Sequence, residues 1–211
     1  METLDLRPWM IGIAVFALLI LAVSWRAARA ADVEHAPYQV VDRFADFEVR
    51  DYPATIEART LVNNDSRRSL SSGFRRLAGY IFGGNQRNQS IAMTAPVTSA
   101  PTATGWRMSF VMPASFSLNS LPEPIDGEVE LVERPARKMA AIVFSGWATS
   151  TVARRMEARL LALLNEAGLE AAGEPVLAQY DPPMQLPFLR RNEVLVPLRG
   201  LPVPTVAGPA N

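Results

Sequence analysis

With 211 residues, 49% of them apolar and 20% charged, the chain has the composition of a folded protein with room for one domain of ordinary size. A formal net charge of zero provides no electrostatic footprint for nucleic acid, so that class of partner is set aside. The lack of cysteine excludes disulfides, zinc–thiolate sites, iron–sulfur clusters and thiolate-ligated haem, and a single histidine, His35, argues against a multi-histidine metal site or a His-dependent triad.

The first element is the uncharged run "MIGIAVFALLILAVS" at residues 10–24, flanked by Trp9 and Trp25 and by Arg7, Arg26 and Arg29. Its length lies between a signal-peptide core and a spanning helix of about 20 residues, and the paired tryptophans suit interfacial anchors. The segment 1–29 therefore reads as a single N-terminal transmembrane anchor with the domain outside the cytoplasm. The alternatives are a signal cleaved near "ARA" at residues 28–30, giving a secreted domain, or an anchor with the domain facing the cytoplasm. Residues 30–37 form a linker and 38–199 the folded domain.

Strand signals begin with "YQVVDR" and "DFEVRDYP", joined by a tight turn at "FAD". In "ATIEARTLV", Ala54, Ile56, Ala58, Thr60 and Val62 share one face, the pattern of a half-buried strand. A helix over residues 66–82 follows from Leu70, Phe74, Leu77, Ala78 and Ile81 at helical spacing, with Gly83-Gly84 as its stop. "SIAMTAPVTS" and "GWRMSFVMP" then alternate, and a hairpin through residues 100–105 would place Met93, Met108 and aromatic rings in one patch.

Beyond the loop "LPEPIDGE", the run "VELVERPARKMAAIVFSG" contains "LVER", an echo of "VVDR" at residues 40–43. A second helix over residues 149–167 carries Val152, Met156, Leu160, Leu163 and Leu164 on one face and stops at Gly168. Strands "EPVLAQY" and "NEVLVPL" bracket "DPPMQLPFLRR", and the proline-rich residues 200–211 read as a disordered tail. Two helices among eight or so strands give an α+β class: a distorted antiparallel β-barrel of two repeated strand–strand–helix–strand halves.

Two separated motifs, "GFRRLAGYIFGGN" followed by "IAMTAPV", and "YDPPMQLPFLRRNEVLV", resemble the SOUL/haem-binding protein family, over about residues 38–198. The resemblance implies a two-repeat barrel shared with effector-binding domains, a non-catalytic role, and haem or another tetrapyrrole as cofactor in an apolar groove. Some members of that family place an axial histidine where this chain has Asp51, in "FEVRDY". A carboxylate is a hard ligand with little affinity for ferrous haem iron. His35 lies before the first strand, so binding would go without a protein axial ligand or would draw on Met93, Met108 or Tyr52. The cofactor-binding residues expected are Asp51, Tyr52, Phe74, Arg75, Leu77, Met93 and Met108, set in a greasy cleft between the curled sheet and the first helix. No metal-ligand cluster and no catalytic residue is expected. Binding of a different hydrophobic small molecule is the alternative; a hydrolase is less favoured, since no G-x-S-x-G or H-E-x-x-H occurs.

Overall fold

A computed structural model describes residues 33–63 and 67–199. The expected anchor or signal segment and the tail lie outside them. Among the described residues no helix is long and apolar enough to cross a membrane.

Chain order gives β1 (Glu34–His35), β2 (Gln39–Arg43), β3 (Glu48–Tyr52), β4 (Thr55–Asn63), α1 (Arg67–Ile81), β5 (Thr94–Ala95), β6 (Val97–Thr102) and β7 (Gly105–Val111). The second part continues with β8 (Glu130–Arg134), β9 (Arg137–Phe144), α2 (Ser150–Glu166), β10 (Val176–Gln179), a short 3-10 turn (Pro187–Leu189) and β11 (Asn192–Pro197). The strands predicted around residue 94 form two pieces rather than one. Pro96, which has no N–H to give a ladder, stands between β5 and β6.

Nine strands form one antiparallel, strongly curled half-barrel in the order β2-β3-β9-β11-β10-β6-β7-β4-β8. Exchanging β3 with β8, β4 with β9, β6 with β10 and β7 with β11 reverses this order from β3 to β8 and leaves it otherwise unchanged. The molecule is thus a two-repeat α+β structure, as the sequence predicts. Each half carries one strand more, strand–strand–helix–strand–strand, and the topology makes β3 rather than the echoing β2 the counterpart of β8. The first strand of each half pairs with the second strand of the other, β3 with β9 and β8 with β4. The halves are therefore interlocked and share one sheet.

Strand alternation sends one set of side chains to the helices and the other into the hollow of the sheet. Under α1, Ala58, Leu77, Tyr80, Ile81, Met108 and Phe110 are buried together. Under α2, the corresponding layer is Val49, Ala140, Ile142, Leu160, Leu164, Val194 and Val196. Thr149 caps α2 by accepting from Val152 N, and Gly168 follows its end at φ 69°, a left-handed conformation that favours glycine.

Two of the four glycines of "GFRRLAGYIFGGN" have a packing explanation. A Cβ on Gly73 would lie 2.9 Å from Val62 Cγ1, so α1 approaches β4 closely only with glycine there. At Gly84 a Cβ would lie 2.6 Å from Gly79 O, the carbonyl that also accepts the Gly84 N–H at 2.8 Å. Asn85, fully buried, completes this helix end: its Nδ2 donates to Tyr80 O at 3.0 Å and to Gln89 O at 2.7 Å, while its Oδ1 accepts from Gln89 N at 3.0 Å.

Candidate functional site

The seven residues expected to hold a cofactor fall in different places. Leu77 and Met108 sit in the packed layer beneath α1, with Met93 against its edge. Phe74 is half-exposed, its ring edge-on to Phe110 at 5.4 Å, and Arg75 lies on the exposed side of α1 with its Nε donating to Ser71 O at 3.4 Å. The expected greasy cleft between the sheet and the first helix is occupied by the protein's own side chains: Leu77 is 0% exposed, Ile81 1% and Phe110 1%. Asp51 and Tyr52 lie elsewhere, on β3, and there they do meet a cleft.

That cleft has a volume of about 620 Å³, within the usual range for a small-molecule site. Pro37, Tyr38, Tyr52, Pro53 and Ala136 form its apolar walls; Gln39, Asp51, Arg137 and Lys138 supply polar groups. Register explains the assembly, because Asp51 stands opposite Lys138 and Tyr52 opposite Arg137 on β9, while Gln39 on β2 stands opposite Asp51. The Tyr38 and Tyr52 rings are 5.4 Å apart, and the Arg137 guanidinium lies 5.6 Å from the Tyr52 ring centre. Lys138 Nζ donates to both Asp51 carboxylate oxygens at 2.7 and 2.9 Å.

The floor beside this cleft is a buried ionic network. Arg50 Nη1 donates to Glu193 Oε2 at 2.8 Å, Arg50 Nε to Glu48 Oε2 at 2.9 Å, and Arg50 also stacks at 4.2 Å on Tyr38. Glu193 further accepts from Tyr180 Oη at 2.8 Å and from Arg191 Nη2 at 2.7 Å. Burial pushes the Arg50 guanidinium down, but the hydrogen bond and charge of Glu193 outweigh it and hold Arg50 above its ordinary value. Burial raises the Tyr52 hydroxyl, against the opposing pull of Arg50. Tyr180 is raised by burial and then by Glu193.

The donor set suits a flat apolar ring with acidic substituents better than it suits iron. Asp51 is engaged by Lys138, the Tyr52 phenolate is disfavoured by burial, and neither histidine nor methionine lines the cleft. His35 is exposed and packs edge-on against Tyr180 at 5.6 Å. Among the described residues no group of three or more His, Cys, Asp or Glu could hold a metal ion.

Sequence reasoning found Asp51 and Tyr52 but missed Arg137 and Lys138, which reach the cleft by strand pairing between residues about 90 positions apart, and Tyr38, which precedes β2 where Gln39 pairs with Asp51. It also passed over Arg50 and the pairing of Arg50 with Glu193. Their signal was present as a charged residue beside apolar ones in two strands, Arg50 in "EVRDY" and Glu193 in "NEVLVP".

Comparisons agree with this architecture. Heme-binding protein 2 of Homo sapiens is 27% identical over 169 residues, covering 75% of this chain and 81% of that protein. Its Mus musculus counterpart is 27% identical over 180 residues, covering 81% and 82%. Among solved structures, the EcmrR C-terminal domain superposes with a TM-score of 0.57 at 14% identity over 78% of this chain and 99% of that one. A structure titled a hydrolase from Listeria innocua does so at 0.53, with 10% identity over 73% and 92%. At these identities the two structures speak for the fold alone. The family model described as SOUL heme-binding protein matches residues 33–197, from β1 through the last residue of β11. A match across both interlocked halves, joined to two curated relatives of similar length, makes this chain a member of the SOUL heme-binding protein family.

Proposed function

We propose that the protein binds haem, or a closely related tetrapyrrole, in the cleft between β2, β3 and the start of β9, by ring contact and by charge at the rim rather than through a strong iron ligand. The observation that carries the reading is the cleft itself: about 620 Å³, walled by Tyr38, Tyr52 and two prolines, with Arg137 and Lys138 at its edge. Guanidinium and ammonium groups suit porphyrin propionates. Bound haem would supply redox and gas-binding chemistry at its iron; the chain's part is to hold the ring and orient its acid groups. Contact over ~300 Å² at roughly 25 cal/mol per Å² gives about 7–8 kcal/mol before ordering costs, micromolar affinity at best.

The family membership supports a binding module rather than a catalyst. We extend the proposal to place: residues 10–24 tether the domain to a membrane, supported by their uncharged length and flanking tryptophans. Resistance of the full chain to alkaline extraction from membranes tests the tether, and a soluble chain overturns it.

Titration of the full chain with haemin tests the binding. A saturable Soret change is expected, and Gln39→Trp, which puts an indole into the cleft, removes it. Saturation unaffected by that substitution contradicts the assignment.

A further inference from the structure

The hollow of the sheet holds a second concentration of charge, distinct from the buried network around Glu193. Arg137 Nη2 on β9 lies 3.5 Å from Glu57 Oε1 on β4, although four strands separate β9 from β4 in the sheet. Arg134 Nε on β8 lies 3.7 Å from the same oxygen. Both separations fall at or beyond the limit of a hydrogen bond, and the buried Nε atoms of Arg134 and Arg137 have no hydrogen-bond partner. A buried donor left without an acceptor costs about 1–3 kcal/mol.

Between these groups is a cavity of about 40 Å³, to which Arg107, Ser109 and Thr98 also contribute. It exceeds the ~30 Å³ that one water molecule occupies in the liquid. Three guanidinium-bearing residues and one carboxylate thus line a small hollow. Burial, and then Arg134 and Arg59, hold the Arg107 guanidinium below its ordinary value; burial does the same to Arg137, with Glu57 opposing. Val176 and Leu195 form an apolar part of the wall.

We propose that this hollow is a carboxylate-binding site, with Arg107, Arg134 and Arg137 as its donors. The planar fork of a guanidinium matches a carboxylate, and three guanidinium-bearing residues line this hollow. The site goes beyond the haem reading: Tyr38, Gln39 and Pro53 of the cleft take no part in it, although Arg137 borders both. The carboxylate is either a free small acid or the acid group of a larger apolar ligand.

Calorimetric titration of the full chain with sodium formate and with sodium hexanoate separates the two sources. Saturation by formate below ~10 mM, where long-range screening is weak, supports a free acid; tighter binding of hexanoate supports an acid group on a larger ligand. Arg107→Gln should weaken binding at least tenfold without lowering the melting temperature of the unliganded protein, because it removes a like-charged neighbour. Arg134→Gln provides a second, independent loss. Gln39→Trp should leave formate binding intact, so the site stands or falls separately from the cleft. No saturable response to either acid, or Arg107→Gln and Arg134→Gln proteins that bind as the parent does, would overturn it.

Discussion

Arg50 and Glu193 meet at 2.8 Å with side chains 1% and 0% exposed, tying β3 to β11 across the intervening β9. Breaking one side of such a pair leaves a buried charge, which costs about 3–5 kcal/mol in fully buried cases. Glu193→Gln leaves the Arg50 charge with only the half-buried Glu48 carboxylate and turns one of the two acceptor oxygens shared by Arg50, Tyr180 and Arg191 into a donor, whereas Arg50→Met leaves Glu193 with both Tyr180 and Arg191. Urea unfolding should show a loss of about 3 kcal/mol for Glu193→Gln and a smaller one for Arg50→Met. Equal losses, or one under ~1 kcal/mol for Glu193→Gln, would contradict this account of the network.

Gly73 and Gly84 of the first motif should respond differently from an unhindered helix glycine. Gly→Ala within a helix ordinarily stabilises by up to about 1 kcal/mol. Gly73→Ala should instead destabilise by about 1–3 kcal/mol, since its methyl would meet Val62. Gly84→Ala should cost more, because the obstructing atom is the Gly79 carbonyl rather than a side chain. Thermal denaturation of the two variants checks the order.

Tyrosine titration gives a pH prediction with a definite sign. Burial holds the hydroxyls of Tyr52, Tyr80 and Tyr180 above the ordinary value, with Tyr80 pushed up to about 12. Below pH ~10 these groups are protonated in both folded and unfolded chains and add no pH dependence. Above it the unfolded chain ionises first, so stability falls as pH rises. At pH ~11 the phenolate absorbance of these three should be weaker in the native protein than in urea. Coincident native and denatured titrations would refute the burial of these hydroxyls.

Asp51→His replaces a carboxylate on the cleft wall with an imidazole. The lost Asp51–Lys138 pair is half-exposed, at 44% and 32%, so its removal costs no more than ~1 kcal/mol and the variant should fold. Haemin should then bind at least tenfold more tightly with a histidine-ligated spectrum. The unaltered chain should bind metal-free protoporphyrin within about tenfold of haemin, ~1.4 kcal/mol. A large preference for haemin in the unaltered chain would point to an iron ligand outside the cleft wall.

Local pattern carried most of the architecture into the sequence. Helical spacing marked both helices, with Thr149 and Gly168 bounding α2, and alternation marked β4 and β7. The candidate site was legible only where a strand's own residues made it, at Asp51 and Tyr52. Phe74, Leu77, Met93 and Met108 share a helical or alternating stripe, and such a stripe marks burial without saying whether a ligand or the protein fills the space. Arg137 and Lys138 reach the cleft through the pairing of β3 with β9, a contact that no local spacing encodes, while Tyr38 arrives with β2, the neighbour of β3 in sequence. The same holds for Glu57 and Arg137, which the curl of the sheet brings together from opposite halves.

The central claim is the location of the ring, and nuclear magnetic resonance of the full chain with gallium protoporphyrin IX tests it most directly. Ring-current shifts should concentrate on Tyr38, Gln39, Tyr52, Pro53 and Ala136. Shifts centred instead on Phe74, Arg75 and Met93 would move the ligand to the first helix and contradict the account.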